Sequence, residues 1–223
     1  MPKITVGDID INYQIQGTGE PLLLIMGLSF SLLDWGTQLP ELLAQHYKVI
    51  LFDNRDAGET SQSSCAYTLA QMAADAAGLL DALGESKAHV FGISMGGMIA
   101  QHFALNYPNK LNKLILGCTM AGGACSQPGA FSDLFNGNVL ELLFMPEFIQ
   151  QHQTELAAFL QTTMPFHSKG GGLIRQFSAM NSHDTCDLLS KITAPTLVIT
   201  GDRDRVILPQ NSDILTEKIP GAK

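Results

Sequence analysis

Five apolar runs that do not alternate constrain this chain most: residues 22–26, 49–52, 88–93, 114–116 and 196–200. A strand with one wet face alternates apolar and polar residues. A run that stays apolar must be covered on both faces, as in a parallel sheet sandwiched between helices. Helical patterns fall between the runs. Residues 68–83 give the clearest one, with Thr68 and Gln71 spaced as a capping box. Leu69, Met72, Ala73, Ala76, Leu79, Leu80 and Leu83 form one face, and Gly84 stands at the C-terminal cap. Further helices are expected over residues 31–45, despite Pro40, over 95–107, ended by Pro108, and near 209–219. Two short alternating segments, 3–6 and 10–14, flank Gly7-Asp8 and predict an opening hairpin. Strand and helix in alternation define an α/β fold with a mostly parallel, doubly wound sheet.

The rhythm stops over residues 119–194, which hold no strand-like run. Helices are expected near 132–144, 146–162 and 172–180. The domain organisation read from this is a core of residues 1–118 and 195–223, interrupted by a helical insertion at 119–194. Seven of the 11 phenylalanines fall in the insertion: Phe131, Phe135, Phe144, Phe148, Phe159, Phe166 and Phe177. Met120, Met145, Met164 and Met180 accompany them. These residues either form the insertion's own core or line an apolar pocket facing the sheet.

The sequence Gly92-Ile93-Ser94-Met95-Gly96-Gly97 follows the apolar pair Val90-Phe91 and opens a helix. A serine on a tight strand-to-helix turn projects its hydroxyl beyond the sheet. Glycines on either side remove side chains that would collide where strand and helix cross. The helix N-terminus aims free N–H groups at developing negative charge. A nucleotide-binding turn is the competing reading, but the segment lacks G-x-G-x-x-G spacing and a P-loop lysine.

Together with other motifs, this segment resembles the α/β-hydrolase family along nearly the whole chain. The run from Leu22 to Leu28 is similar to the family's third strand and oxyanion loop, with Met26-Gly27 where His-Gly is usual. Asp53-Asn54-Arg55-Asp56-Ala57-Gly58 is similar to its D-x-R-G-x-G turn, with Asp56 in place of the usual glycine. Asp53, Arg55 and Asp56 are read as loop architecture. The run from Pro195 to Asp204 resembles the strand and turn that present the triad acid, and the insertion sits where the family places a cap. The resemblance implies a serine hydrolase with Ser94 as nucleophile. The backbone N–H groups of Met95 and Leu28 would form the oxyanion hole, and Asp204, with Asp202 as near competitor, would be the acid. It implies no metal and no organic cofactor.

In the family order a histidine follows the acid. Here no histidine follows His183. The turn-like Pro220-Gly221-Ala222-Lys223 would lead into a further strand, so the expectation is a chain truncated from a longer product, lacking the triad histidine as given and left with only residual catalysis from binding and the oxyanion hole. His46 and His89 lie at strand starts, the wrong end of the sheet, and His102 points away along its helix. His152, His167 and His183 lie in the insertion, and each is read as a surface or packing residue. His183, beside Asp184, comes nearest to a substitute base.

The substrate expected is a small or medium apolar carboxylic ester or lactone. Carbon–carbon bond hydrolysis, thioester hydrolysis and perhydrolysis stay open, as does a non-catalytic small-molecule-binding protein on the same fold. A net charge of -8 with scattered basic residues argues against nucleic acid or an anionic membrane surface as partner. The longest apolar run, near residues 21–30, is too short to span a bilayer, and the strand-like opening leads to the expectation of no signal segment. A cytoplasmic protein is the expectation, and oligomeric state is not readable. Cys65, Cys118, Cys125 and Cys186 show no C-x-x-C spacing and are expected as free thiols.

Overall fold

The structure, a computed structural model, describes residues 1–127, 129–130, 133 and 139–223. Its sheet has seven strands: β1 (Lys3–Val6), β2 (Ile9–Gln16), β3 (Glu20–Ile25), β4 (Tyr47–Phe52), β5 (Ala88–Ile93), β6 (Leu111–Gly117) and β7 (Thr196–Ile199). Their order across the sheet is β1-β2-β4-β3-β5-β6-β7. The hairpin β1–β2 turns at Gly7, which has φ 57°, and β2 runs antiparallel to β4. The pairs β3–β4, β3–β5, β5–β6 and β6–β7 are all parallel.

The apolar runs divide between two cores, which explains why they do not alternate. Leu23 and Ile25 of β3, with Ile50 and Phe52 of β4, face the main core beneath α2 (Leu69–Ala82) and α3 (Met95–Asn106). Leu22, Leu24, Met26, Val49 and Leu51 face the opposite side, where Leu32 and Trp35 cover them. Each such side chain withdrawn from water contributes roughly 1.5–3 kcal/mol. At the far edge β7 leaves Leu197 and Ile199 exposed, and its Val198 N–H donates to the Lys223 carbonyl at 2.8 Å.

Helix α2 starts where expected. The Thr68 hydroxyl accepts the Gln71 N–H at 3.2 Å, so the serine/threonine half of the box forms. Gly84 follows the helix at φ 77°. The helix expected over residues 31–45 is two pieces instead: a 3₁₀ turn, Leu32–Trp35, and α1 (Gln38–Leu43). Ser31 and Asp34 make a capping box around the first piece, and Gly36 at φ 65° turns the chain out of it. A local box and a left-handed glycine thus override the longer helical period.

Between β6 and β7 lie α4 (Val139–Leu143), α5 (Pro146–Gln151), α6 (Gln153–Thr163) and α7 (Gly170–Asn181). The expected helix at 146–162 is therefore broken at His152. Much of the one expected at 132–144 lies outside the described residues, as do Phe131 and Phe135. None of the other five phenylalanines of this segment is fully buried, and Phe148 is exposed. Partial burial of this kind is compatible with either reading made of them, the insertion's own core or the lining of a pocket. The segment's buried residues include Leu156, Gln176, Ala179 and Met180, and the last two join the main core.

The cysteine expectation is corrected for one pair. Cys125 and Cys186 form a disulfide across the base of the insertion, while Cys65 and Cys118 are free. The pairing closes where an isolated antiparallel bridge, Gly122 to Asp184, already joins the segment's two ends. Among the described residues no helix is long and apolar enough to cross a membrane.

Candidate active site

Ser94 sits between the end of β5 and the start of α3 with φ 53° and ψ -123°. This backbone conformation is costly for a residue with a Cβ, and its surroundings must impose it. The Ser94 N–H donates to Gly117 O at 2.9 Å, tying the turn to β6. Its carbonyl accepts Gly97 N at 2.9 Å, Met98 N at 3.2 Å and the Thr119 hydroxyl at 2.8 Å. Two glycines make the turn possible. A Cβ on Gly92 would collide with the Gly96 carbonyl oxygen, and a Cβ on Gly96 with that of Ile25. The turn is thus pressed against the end of β3. The loop leaving β3 crosses the serine so closely that a Cβ on Gly27 would lie 3.2 Å from Ser94 Cβ.

Met95 and Leu28 carry the two N–H groups expected as oxyanion donors. Met95 N opens α3, where the first N–H groups have no partner in the helix. Leu28 N follows Gly27 in the loop. Neither donates to another group among the described residues. Ser94 Oγ likewise has no hydrogen bond to a described residue, and Ser94 is half-buried.

The loop is held from two sides. Asn54 Nδ2 donates to Met26 O at 2.9 Å. Ser29, at φ 72°, donates its N–H to Gln176 Oε1 at 2.8 Å and its hydroxyl to Ser168 O at 3.2 Å. The Ser29 carbonyl accepts Ser168 N at 2.7 Å. Residues 53–56 form the frame beneath. Asp53 is buried and accepts Leu32 N, Asn12 Nδ2 and Glu59 N; burial raises its pKa against the pull of these donors. Arg55 pairs with Asp75 through two nitrogens at 2.6 and 2.7 Å. Asp56 has φ 69°, the left-handed region that explains why glycine is usual at this place.

At the end of β7, Asp204 is half-buried and Asp202 is exposed. Asp204 Oδ1 accepts the N–H groups of Val206 and Ile207, each at 2.9 Å. The Cys118 thiol lies against this carboxylate. Burial first, and then Asp204, push its pKa up. Cys118 N donates to Ile199 O at 2.8 Å. The ends of β3, β5, β6 and β7 therefore carry Leu28, Ser94, Cys118 and Asp204 in one row along neighbouring strands, the edge where open α/β sheets carry their chemistry.

None of the described hydrogen bonds of the six histidines reaches Ser94. His183 is buried, with Nε2 at 3.2 Å from Met120 O and Nδ1 at 3.2 Å from His102 Nε2. Its pKa is pushed down to about 4, by burial first and then by His102. His167 Nε2 pairs with Asp34 Oδ1 at 2.8 Å and its ring packs on Phe30. His89 pairs with Glu20 at 2.9 Å at the start of β5, and His152 pairs with Glu155. Sequence reasoning missed Ser168 and Gln176 as groups that grip the loop after β3, and Arg175 as the tie from α7 to Asp56. Their partners lie 119 to 147 residues away, and no local pattern marks them.

The sheet order, the strained serine and the helical insertion agree with a family match: residues 20–163 fit the model described as "alpha/beta hydrolase fold". The chain belongs to the α/β-hydrolase family. A protein of Azorhizobium caulinodans named "Putative carbamate hydrolase RutD" is 30% identical over 234 residues, spanning 100% of this chain and 88% of the relative. "Lipase 3" of a Moraxella species is 30% identical over 220 residues, spanning 92% of this chain and 69% of the relative. The solved structure of an enol-lactonase from Burkholderia xenovorans LB400 superposes with a TM-score of 0.87 at 24% identity, covering 100% of this chain and 89% of that one. This last likeness speaks for the fold alone.

Proposed function

We propose that this chain is a serine hydrolase that cleaves a small or medium apolar carboxylic ester or lactone through an acyl-enzyme on Ser94. The observation that carries the reading is the strained serine at the start of a helix, where Met95 N has no described partner and Gly27 of the loop after β3 presses close. Attack by Ser94 Oγ on the carbonyl carbon, its proton passing to the imidazole that a triad histidine would supply and from there to the leaving alcohol, drives an electron pair onto the carbonyl oxygen. Met95 N–H and Leu28 N–H receive that oxyanion, each donor being worth ~3 kcal/mol in the transition state. Collapse expels the alcohol, which takes up a proton. Water then attacks the acyl-serine through the same hole and releases the acid. Asp204 is the acid assigned to orient and stabilise an imidazolium, and its capped turn keeps one oxygen engaged by two N–H groups. The phenylalanines and methionines of the insertion favour an apolar acyl group. The name lipase among the similar proteins agrees with ester chemistry, and the name carbamate hydrolase with acyl transfer on a nearby functional group.

The test, made on the protein expressed from its native gene, is covalent labelling with a fluorophosphonate, read by peptide mass, beside hydrolysis of p-nitrophenyl butyrate. The expected result is a single label on Ser94 and turnover, both lost in Ser94→Ala. Absence of label and turnover in the wild-type chain would overturn the reading in favour of a non-catalytic small-molecule binder.

A further inference from the structure

Gln176 is wholly buried, yet it is fully polar and comes from the insertion rather than the sheet. Its carboxamide spends both ends on backbone. Oε1 accepts the Ser29 N–H at 2.8 Å, and Nε2 donates to Arg55 O at 2.8 Å. A planar amide engaged at both ends has no rotational freedom left. It therefore works as a rigid strut between the loop leaving β3 and the turn at 53–56. Ser29 needs such a strut. A non-glycine residue at φ 72° sits in a sparsely populated region and persists only where neighbours impose it.

The peptide held this way adjoins the one that carries the Leu28 N–H. An oxyanion donor is useful only when its N–H is aimed, before the reaction, at the place the oxyanion will occupy. With the Ser29 N–H released, the left-handed turn can relax, and the 27–28 peptide can swing away from Ser94. Among the described residues, the loop's other hydrogen bonds come from Asn54 on Met26 O and the paired contacts of Ser168 with Ser29, and none of these grips the Ser29 N–H. We infer that Gln176 is a positioning residue for the oxyanion donor at Leu28, so that docking of α7 completes the catalytic geometry. The inference rests on the serine-hydrolase reading and assigns that site a determinant 147 residues distant in sequence.

The test compares Gln176→Leu and Gln176→Glu with Arg175→Met in the full chain. Arg175→Met loosens the same helix from Asp56 without touching Ser29. The probes are p-nitrophenyl butyrate for kcat and KM, and a trifluoromethyl ketone, whose serine adduct places an oxyanion in the hole. Deleting one oxyanion donor outright costs ~100- to 1,000-fold in kcat, so a donor merely left unaimed should cost roughly 10- to 100-fold. Gln176→Leu should show that fall in kcat with KM changed by less than about threefold, and a parallel loss of ketone affinity. Gln176→Glu keeps an acceptor for the Ser29 N–H and should recover part of both. Arg175→Met should lower the melting temperature at least as much while leaving kcat within about threefold of wild type. If Gln176→Leu matches wild type in kcat and ketone affinity, or if Arg175→Met loses as much kcat, the inference is wrong. Should Gln176→Leu not fold, Gln176→Ala takes its place with the same expected fall in kcat and ketone affinity and the same overturning outcomes. Failure of the wild-type chain to label at Ser94 would mark failure of the underlying reading instead.

Discussion

Arg175 Nε and Nη2 each donate to one oxygen of the Asp56 carboxylate at 2.8 Å, joining the insertion to the turn after β4. Asp56 is fully buried and also accepts Ser63 N at 2.6 Å and the Tyr67 hydroxyl at 2.7 Å. Burial raises its pKa, but Arg175, Ser63 and Tyr67 outweigh burial and hold the carboxyl below its ordinary value. Removing Arg175 leaves that charge buried without its cation. Arg175→Ala should cost about 3 kcal/mol in urea denaturation at pH 7. Because Asp56 is at φ 69°, Asp56→Gly should be about 1 kcal/mol more stable than Asp56→Ala. The depressed pKa means the pair's contribution is complete above the unfolded carboxyl value of 3.8. It is lost as pH falls below that and through the lower folded value.

His183 sets a second acid limit. Its folded pKa, about 4, lies below the unfolded 6.5, so between these values the unfolded chain binds the extra proton. Stability therefore falls as pH drops from about 6.5 towards 4, by about 2 kcal/mol at pH 5 from this group alone. Burial moves His102 in the same direction. The melting temperature of wild type should decline over this window, and the slope should flatten in His183→Gln. An unchanged slope would mean that His183 is not the buried neutral group.

The elbow glycines should rank by what their missing side chains would meet. Gly92 and Gly96 face backbone carbonyls, which cannot move aside, whereas Gly97 faces the Thr119 side chain at 2.6 Å. Gly96→Ala and Gly92→Ala should each cost roughly 3 kcal/mol or more. Gly97→Ala should cost less and be partly relieved by Thr119→Ser. Chemical denaturation of the three variants and the double mutant measures this order.

The Cys125–Cys186 disulfide closes a loop of 61 residues. On loop entropy such a link contributes about 4 kcal/mol, with 2–4 typical of measured cases. Thiol titration in denaturant should find two free thiols of the four cysteines. Reductant, or Cys125→Ser with Cys186→Ser, should lower the melting temperature measurably. Four titratable thiols in the purified chain would contradict the pairing.

The strands were legible because Leu22 through Met26 and Val49 through Phe52 are apolar at every position, and only burial on both faces requires that. The serine turn was legible because Gly92 and Gly96 stand where any side chain would strike backbone. The architectural roles read for Asp53, Arg55 and Asp56 fit their bonds to Leu32, Asp75 and Arg175. The helix over residues 31–45 was misread because Gly36 interrupts it with a left-handed turn that the helical period does not announce. The phenylalanines of the insertion were legible as apolar and no further. Composition records that a segment is apolar, not which surface its residues meet.

The sequence by itself determined the sheet, the position of Ser94 and the helical character of the insertion. These follow from patterns a few residues long, in which backbone geometry and burial act on near neighbours. Only the tertiary structure decided that Gln176 holds the Ser29 N–H, that Arg175 closes on Asp56 and that Cys125 meets Cys186. A carboxamide, a guanidinium or a thiol can meet many partners along a chain. Which one it meets depends on where distant segments pack, and that is set by the fold as a whole rather than by the residues on either side.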